Sequence, residues 1–484
     1  MNVSQIMQHI HTVEQTLPVH EWRYRGIQIW PILRTKLYFD LFNKYNFTDT
    51  TPLSQKTISA LQISIRSIPD FLRFLFYIVF TVKKDVVCFA DASYVLRDEK
   101  YYQRFIDPEI EFLNANAFST VTITASDITN KNLTNPTYKL NILRLVTRIL
   151  AKFYSRIIKT DVNLKDFDKY NEYLEKIEIG SISNKVLAYT LWQYWVTSKI
   201  YQFILKRISP KAALIVSYYE GHNMSFVHAC RKLGIPVADI QHGVINDHHA
   251  CYGGWRHIPV TGYNTMPNIF TCWEKQSTDC INNWAQKTNG AHIAVHHGNK
   301  YMQLVLNENN PFKKIYNEFN KINSPEYNIL LSLQTNYELN DFLETVLKIS
   351  PQNYFWWIRF HPMLTDLEKD KIAKRISVIP NLRYESVEAT NNTLYNVLPL
   401  MSAHITLNSS VVVEASEMGI RSIICEETGY IYYKHYIDHG DAYIAKTPEE
   451  AIKLISQLKK EPTTPSFPAQ ENLYKKLGII KNDK

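Results

Sequence analysis

The order of apolar runs in this chain predicts two doubly wound α/β domains in tandem, preceded by a helical N-terminal region. Three observations predict it. From Lys84 onward, short apolar runs bounded by turn residues alternate with longer amphipathic stretches, the signature of a parallel sheet with helices on its faces. The alternation runs twice, interrupted by a polar, Asn-rich passage ending in Ser324-Pro325. The length, 484 residues, suits two or three domains.

The N-terminal region, residues 1–83, reads as helical because apolar residues recur at spacings of three and four, as in Ile27-Ile29-Ile32-Leu33-Leu37. The first α/β domain is placed at 84–306. Its strands are Val86–Ala90, Val121–Thr124, Ala213–Val216, Val237–Ile240, Ile269–Cys272 and His292–Val295. A long helical stretch from Leu140 to Arg207, broken near Gly180, and a helix at Ser225–Leu233 separate some of them. Residues 307–325 form the expected linker. The second domain, 326–460, has strands at Ile329–Leu333, Tyr354–Phe360, Leu382–Tyr384, His404–Leu407, Ser422–Cys425 and Tyr443-Ile444. Helices are expected between them at Asp341–Ile349, Asp366–Ile376, Thr393–Met401, Val411–Met418 and Pro448–Leu458. Residues 461–484 are a C-terminal tail.

Composition narrows the class. The hydrophobic share is 45%, with 31 tyrosines and nine tryptophans, which suits a chain folded almost throughout. The net charge of +8 is spread along the chain with no basic stripe or named module, so nucleic acid is not an expected partner. A mild basic excess suits nucleotide phosphates or an anionic membrane surface, and equally an ordinary basic protein. Six cysteines without a CxxC pair point to a reducing cytoplasm, and the opening MNVSQIMQHIHTVEQ has no signal-peptide pattern. The run Phe74–Val82, preceded by Arg73 and followed by Lys83-Lys84, is too short to span a bilayer. It reads either as a buried helix or as an interfacial anchor that would make the protein peripheral to a membrane.

In open α/β sheets ligands bind beyond the carboxyl ends of the strands, so residues just after each strand matter most. The strand at Tyr354 ends in Arg359-Phe360-His361-Pro362, where the proline stops the strand and holds His361 at its exit. The strand before Asn408 leads into Ser409-Ser410 and a helix, a hydroxyl pair with free backbone N–H groups where an anion is favoured. An ordinary serine N-cap is the competing reading. Glu414, one turn into that helix, is either a solvated side chain or a carboxylate within reach of a ribose hydroxyl, as is Glu417 one turn on. In the first domain Glu220 follows Ser217-Tyr218-Tyr219, and His242 follows Gln241 after the strand at Val237. A carboxylate and an imidazole at one sheet edge are general-base material.

Other constellations are weaker. His248, His249, His257, His296 and His297 have no metal-ligand spacing, and no metal or other cofactor is expected. Asp166-Phe167-Asp168 matches a DxD element only as a three-residue coincidence within a charged helical stretch. No GxGxxG, GxxxxGK[ST] or GxSxG occurs.

Gly234-Ile235-Pro236-Val237-Ala238-Asp239-Ile240-Gln241-His242-Gly243, then Arg359–Pro362, then Ser409-Ser410 with Glu414 and Gly419, together resemble bacterial capsule and O-antigen glycosyltransferases of the GT-B fold. The nearest likenesses are Kdo transferases, polysialyltransferases and CDP-glycerol glycerophosphotransferases, over residues 212–451. The resemblance implies two Rossmann-like domains facing across a cleft. It also implies a donor nucleotide-sugar held by His361, Ser409 and Ser410, with Glu414 near the ribose and Arg359, Pro362 and Gln334 completing the set. Glu220 would be the base, although Tyr219 stands where polysialyltransferases carry a first acid, and His242 is the reserve. The implied activity is metal-independent transfer of a sugar to a hydroxyl of a surface polysaccharide or its lipid-linked precursor, with a lean to a cytidine nucleotide. A sugar-nucleotide 2-epimerase and a non-catalytic nucleotide-sugar-binding assembly protein share the scaffold and remain alternatives.

Overall fold

The computed structural model describes residues 1–46, 66, 68–80, 83–97, 99–126, 132–157, 162–221, 223–307, 327–334, 339–362, 364–458 and 467–480. Residues 308–325 of the expected linker, 461–466 and 481–484 of the tail, and Thr81, Val82 and His222 lie outside them. The chain divides into two compact units, one gathering Val3–Tyr301 with Phe467–Lys484, the other Met302–Ser466.

The first unit is built on a seven-stranded, all-parallel sheet: β1 (Val86–Ala90), β2 (Thr120–Thr124), β3 (Thr137–Lys139), β4 (Ala212–Val216), β5 (Val237–Ile240), β6 (Ile269–Cys272) and β7 (Ile293–His296). The strand order is β7-β6-β5-β4-β1-β2-β3. β1 and β4 are buried along their whole length, which is why they read as continuous apolar runs. β3 escaped the sequence reading because it is a three-residue edge strand, Thr-Tyr-Lys, with no apolar alternation. The expected helical stretch resolves into α5 (Ile142–Ile157), α6 (Phe167–Lys176) and α7 (Asn184–Ile208), the last capped by the Ser183 hydroxyl on Val186 N–H. α4 (Asp107–Ala115), α8 (Asn223–Lys232) and α9 (Lys275–Ala285) complete the crossovers used below.

The N-terminal helices belong to this same core. α1 (Val3–Thr16) and α2 (Trp30–Asn46) bury Ile6, Ile10, Val13, Trp30, Leu33 and Leu37 in one cluster with the sheet residues, and α3 (Ile68–Phe80) adds Phe74. Glu14 and Arg34 form a fully buried pair at 2.9 Å. Glu14 also accepts from Trp30 Nε1 and from Arg256 N–H, while Arg34 donates to the carbonyls of Gly253 and Gly254. These bonds satisfy a charge pair that burial would otherwise penalise, and they tie α1 and α2 to the loop that follows β5. The C-terminal segment also packs here: Tyr474 on α15 (Glu471–Lys476) stacks on Phe112 of α4 and donates to the buried Glu109.

The second unit carries a six-stranded, all-parallel sheet: β8 (Tyr327–Ser332), β9 (Tyr354–Arg359), β10 (Tyr384–Glu385), β11 (Ala403–Thr406), β12 (Ser422–Ile424) and β13 (Ala442–Ile444), in the order β10-β9-β8-β11-β12-β13. Its helices include α10 (Asp341–Lys348), α11 (Asp366–Ser377), α12 (Val411–Glu417), α13 (Glu427–Tyr432) and α14 (Pro448–Gln457). Thr365 and Glu368 form a reciprocal capping box at the start of α11. The helix expected over Thr393–Met401 is broken: Leu394–Val397 is α-helical and Leu398–Leu400 tightens into a 3₁₀ turn around Pro399. Both predicted doubly wound α/β units are thus present.

Candidate functional site

Strand order locates a site in each sheet. In the first unit the chain runs β1 to β2 to β3 towards one edge, then returns to β4 and runs towards the other, so the order reverses between β1 and β4. In the second unit it reverses between β8 and β11. Loops diverging from such a point leave a crevice at the carboxyl ends of the strands, where ligands bind.

At the first reversal, Asp91 follows β1, Ser217 to Glu220 follow β4, and His242 follows β5 on the adjacent strand. Ser217 is buried and holds φ at +55°, a conformation that costs a non-glycine residue about 1–3 kcal/mol. Its Oγ lies 3.0 Å from His242 Nε2, with the Tyr219 hydroxyl 3.3 Å from the same nitrogen. On the other side of the ring, His242 Nδ1 is 3.5 Å from the Tyr252 hydroxyl, which lies 2.7 Å from Asp239 Oδ2. Asp239 Oδ1 accepts from Tyr218 N–H at 3.2 Å. A line of exchangeable protons therefore runs from Ser217 through His242 and Tyr252 to a buried carboxyl.

The charges along that line are set by burial. Desolvation pushes the Asp239 carboxyl up to about 8, against the hydrogen bonds from Tyr252 and Tyr218 that favour its anion. Desolvation lowers His242 to about 4, with Asp91 pulling it back up and Arg104 pushing it further down. The imidazole is thus neutral near pH 7 and able to accept a proton. Glu220 reaches solvent, and its carboxyl is raised by desolvation first and by Asp91 second, with Arg144 opposing. When Asp239 is ionised, Tyr252 donates to it and is left to accept from Nδ1–H, which makes Nε2 the basic nitrogen. When Asp239 is protonated, the order of donors reverses.

Gln241, beside His242, is a positioning residue. Its side chain accepts from Trp273 N–H at 2.6 Å and donates to the Gly243 carbonyl, pinning the start of the loop. Three of the remaining histidines, His249, His296 and His297, have structural partners. His249 packs against Tyr219 and Tyr252 and is lowered to about 3 by burial; His296 lies 3.0 Å from the Trp273 carbonyl; His297 pairs with Glu109 at 2.8 Å. Asp166 binds Lys169 at 2.8 Å at the start of α6, an ordinary surface pair. Among the described residues no three His, Cys, Asp or Glu side chains gather in a set that could hold a metal ion.

At the second reversal, Gln334 follows β8 and Asn408-Ser409-Ser410 follow β11, with His361 and Pro362 beyond β9 on the adjacent strand. Gln334 donates to Asn408 Oδ1, and Asn408 donates in turn to Glu426, which follows β12, at 2.7 Å. Tyr433 donates to the Asn408 carbonyl at 3.1 Å. Gly429 on α13 makes this close packing possible, because a Cβ there would stand 2.3 Å from the Leu407 carbonyl oxygen. Ser409 Oγ accepts from Val411 N–H at 3.3 Å, so it caps the turn, whereas Ser410 occupies the N-cap position of α12 without a side-chain capping bond. Both serines are partly exposed.

Two residues of the expected donor set have partners within the protein. Glu414 is buried rather than solvated, and its carboxylate accepts from Tyr395 at 3.3 Å. Arg359 spends a guanidinium nitrogen on the carbonyls of Ala389 and Asn392, bracing the segment between β10 and β11. Asp91, Ser217, Asp239 and Tyr252 in the first unit, and Asn408, Glu426 and Tyr433 in the second, were not singled out from sequence. Position directly after a strand was the available signal for Asp91, Asn408 and Glu426.

No protein-family model matches the chain, and no curated protein matches it. Solved structures similar to it include a UDP-GlcNAc 2-epimerase of Methanocaldococcus jannaschii in complex with UDP-GlcNAc and UDP, at 12% identity and TM-score 0.48, covering 81% of this chain and 99% of that one. MurG of Acinetobacter baumannii is similar at 13% identity and TM-score 0.43, covering 82% and 100%. A UDP-GlcNAc 2-epimerase of Neisseria meningitidis bound to UDP-GlcNAc is similar at 12% identity and TM-score 0.45, covering 77% and 91%.

Proposed function

We propose that the chain is a nucleotide-sugar-dependent glycosyltransferase that extends a surface polysaccharide or its lipid-linked precursor. One observation carries the reading: in both parallel sheets polar or titratable side chains follow the strands at the reversal of strand order and the strand next to it. In the second unit His361 and the Ser409 and Ser410 hydroxyls would meet the charge that grows on a departing nucleotide. The first unit offers proton acceptors, Glu220 and His242. In the transfer, an acceptor hydroxyl oxygen bonds to the anomeric carbon and the bond from that carbon to the donor phosphate oxygen breaks. The hydroxyl proton passes to Glu220 or His242, and the nucleotide leaves as its phosphate. No step draws on a metal. The lean to cytidine rests on the resemblance alone.

The test is a thermal-shift panel of CMP, CDP, UDP, GDP and ADP, with and without magnesium, on wild type and His361→Ala. A shift from one base that is lost in the variant, with the unliganded melting temperature unchanged, supports the reading. No shift from any nucleotide overturns it. A second reading, 2-epimerisation of a nucleotide sugar, draws on the two carboxyls at one edge, Asp91 and Glu220, the latter raised by desolvation first and by Asp91 second, which suit removal and return of a proton. Incubation with UDP-GlcNAc alone separates the two, because only an epimerase yields a new sugar without an acceptor.

A further inference from the structure

Large apolar side chains stand in solvent on two helices of the first unit. On α3, Leu72, Phe76 and Phe80 follow one another every fourth residue and are 58%, 66% and 71% exposed, with the Phe76 and Phe80 rings 4.5 Å apart. The opposite stripe does the packing: Phe74 is fully buried, and both it and Tyr77 lie 5.0 Å from the Tyr138 ring. The apolar run seen in the sequence is therefore a helix with two apolar faces, one of them in the core. On α5, Leu143, Thr147 and Ala151 form the buried stripe, while Ile149, Leu150 and Phe153 are 58%, 37% and 60% exposed. Isolated exposed apolar residues are ordinary, but stripes of them on two helices of one unit are not.

The two helices share a support and a starting edge. Both pack against α7. Asp70 in the first turn of α3 pairs with Lys139, the last residue of β3, at 3.2 Å, and α5 begins three residues after Lys139. Both therefore start at the carboxyl edge of the sheet, where Asp91, Glu220 and His242 stand. Arg144, in the first turn of α5, acts on Glu220.

The charge on the two helices is one-sided. In the sequence, cations recur every fourth residue along α5, at Arg144, Arg148, Lys152 and Arg156, and α5 contains no acidic residue. Arg144, Arg148 and Lys152 are exposed on α5, as are Arg73 on α3 and Arg66 just before it. Asp70, the acidic residue within α3, is engaged by Lys139 and Arg73. Aromatic and aliphatic side chains bordered by cations on a helix that cannot span a bilayer are the pattern of a segment lying in a lipid interface. Among the described residues no helix is long and apolar enough to cross a membrane.

We propose that α3 and α5 together form a docking surface for an anionic phospholipid bilayer, with Leu72, Phe76, Phe80, Ile149, Leu150 and Phe153 entering the interface and Arg144, Arg148 and Lys152 meeting lipid phosphates. The surface stands independently of the glycosyltransferase reading, since it uses none of the residues assigned to donor or proton transfer.

The test is flotation of the full chain with phosphatidylcholine vesicles and with vesicles in which one-third of the lipid is phosphatidylglycerol, at low and high salt. Binding is expected with the anionic vesicles and is weakened by salt. Phe76→Ser/Phe80→Ser and Ile149→Ser/Phe153→Ser should each weaken it roughly tenfold, in line with the lost apolar insertion. Arg148→Glu/Lys152→Glu should remove the preference for anionic lipid. Because all these side chains are exposed, melting temperatures should stay within a few degrees of wild type, so loss of binding cannot be loss of fold. Absence of flotation with either vesicle overturns the proposal. So does flotation unchanged in both serine variants. A concentration-dependent dimer, seen by light scattering and lost in those variants without flotation, overturns it in favour of self-association.

Discussion

Replacing Asp239 by Asn should make the protein more stable, and by an amount that depends on pH. Asp239 is fully buried in β5 with its carboxyl raised to about 8, so near pH 7 it is protonated in the folded chain and ionised in the unfolded one. Its folded pKa is raised, so the native state holds the extra proton between about 4 and 8, and stability grows as pH falls through that window. Folding at pH 7 then pays for keeping the group neutral, about 1.4 kcal/mol for each pH unit above the ordinary carboxylate value, or about 4 kcal/mol in all. Asn is neutral at every pH, and its oxygen at the Oδ1 position can still accept from Tyr218 N–H, while the position that now accepts from the Tyr252 hydroxyl becomes an N–H₂ donor. Its amide N–H₂ needs a partner beside Tyr252, which returns about 1–3 kcal/mol as cost. The net expectation is a gain of about 1–3 kcal/mol at pH 7 that vanishes or reverses near pH 5. Urea unfolding followed by hydrogen exchange of the first-unit strands, at pH 7 and pH 5, measures it. Activity should fall because the proton line through Tyr252 and His242 loses its terminal carboxyl, a trade of stability against function. Equal destabilisation by Asp239→Asn at both pH values would refute the argument, since it would mean an ionised, structural carboxylate.

Three further outcomes follow from single contacts. Gly429→Ala should destabilise the second unit by about 2–4 kcal/mol, because the new Cβ meets the Leu407 carbonyl and pushes on Asn408, and nucleotide-induced thermal shifts should disappear with it. His297→Gln should cost about 1–3 kcal/mol by disturbing the hydrogen bond between His297 and the buried Glu109, and hydrogen exchange should rise first in 467–480, whose Gln470 and Tyr474 also bind Glu109. Acidification should loosen the first unit before the second. His228 and His242 are lowered to about 4, and His249 and His292 to about 3, all chiefly by burial. Each must take up a proton on unfolding below about pH 6.5, so stability present above that value is lost as pH falls towards 4, while in the second unit His404 is lowered in the same way. Unit-resolved exchange at pH 7 and 5 checks the order.

The two α/β units were legible because buried parallel strands must be apolar on both faces and their crossovers must be amphipathic, and both patterns survive in one dimension. Val86–Ala90 and Ala213–Val216 announced themselves that way. Thr137–Lys139 did not, because an edge strand of three residues buries too little to leave a pattern. The dual character of α3 was half visible. The run from Phe74 showed that the segment was apolar, but which stripe was in the core depended on Tyr138, distant in sequence and adjacent in space.

The site was legible where a residue type signalled itself and obscure where only sheet order could. His361 stood out because a proline followed it, and Ser409-Ser410 because two hydroxyls preceded a helix. Asp91 has the same standing at its strand end, but nothing in Ala90-Asp91-Ala92 says that β1 lies beside β4 rather than at an edge. Knowing that the order reverses between those strands turns Asp91 from one more polar loop residue into a neighbour of Glu220 and His242, whose charges it shifts. The same holds for Asn408: between a strand and two serines it reads as a turn residue. Only the adjacency of β8, β11 and β12 makes it the hub that joins Gln334 to Glu426. Glu414 was obscure for the opposite reason. Its place one turn into a helix suggested an exposed carboxylate, and the packing of Tyr395 against α12, a contact between segments 19 residues apart, buried it.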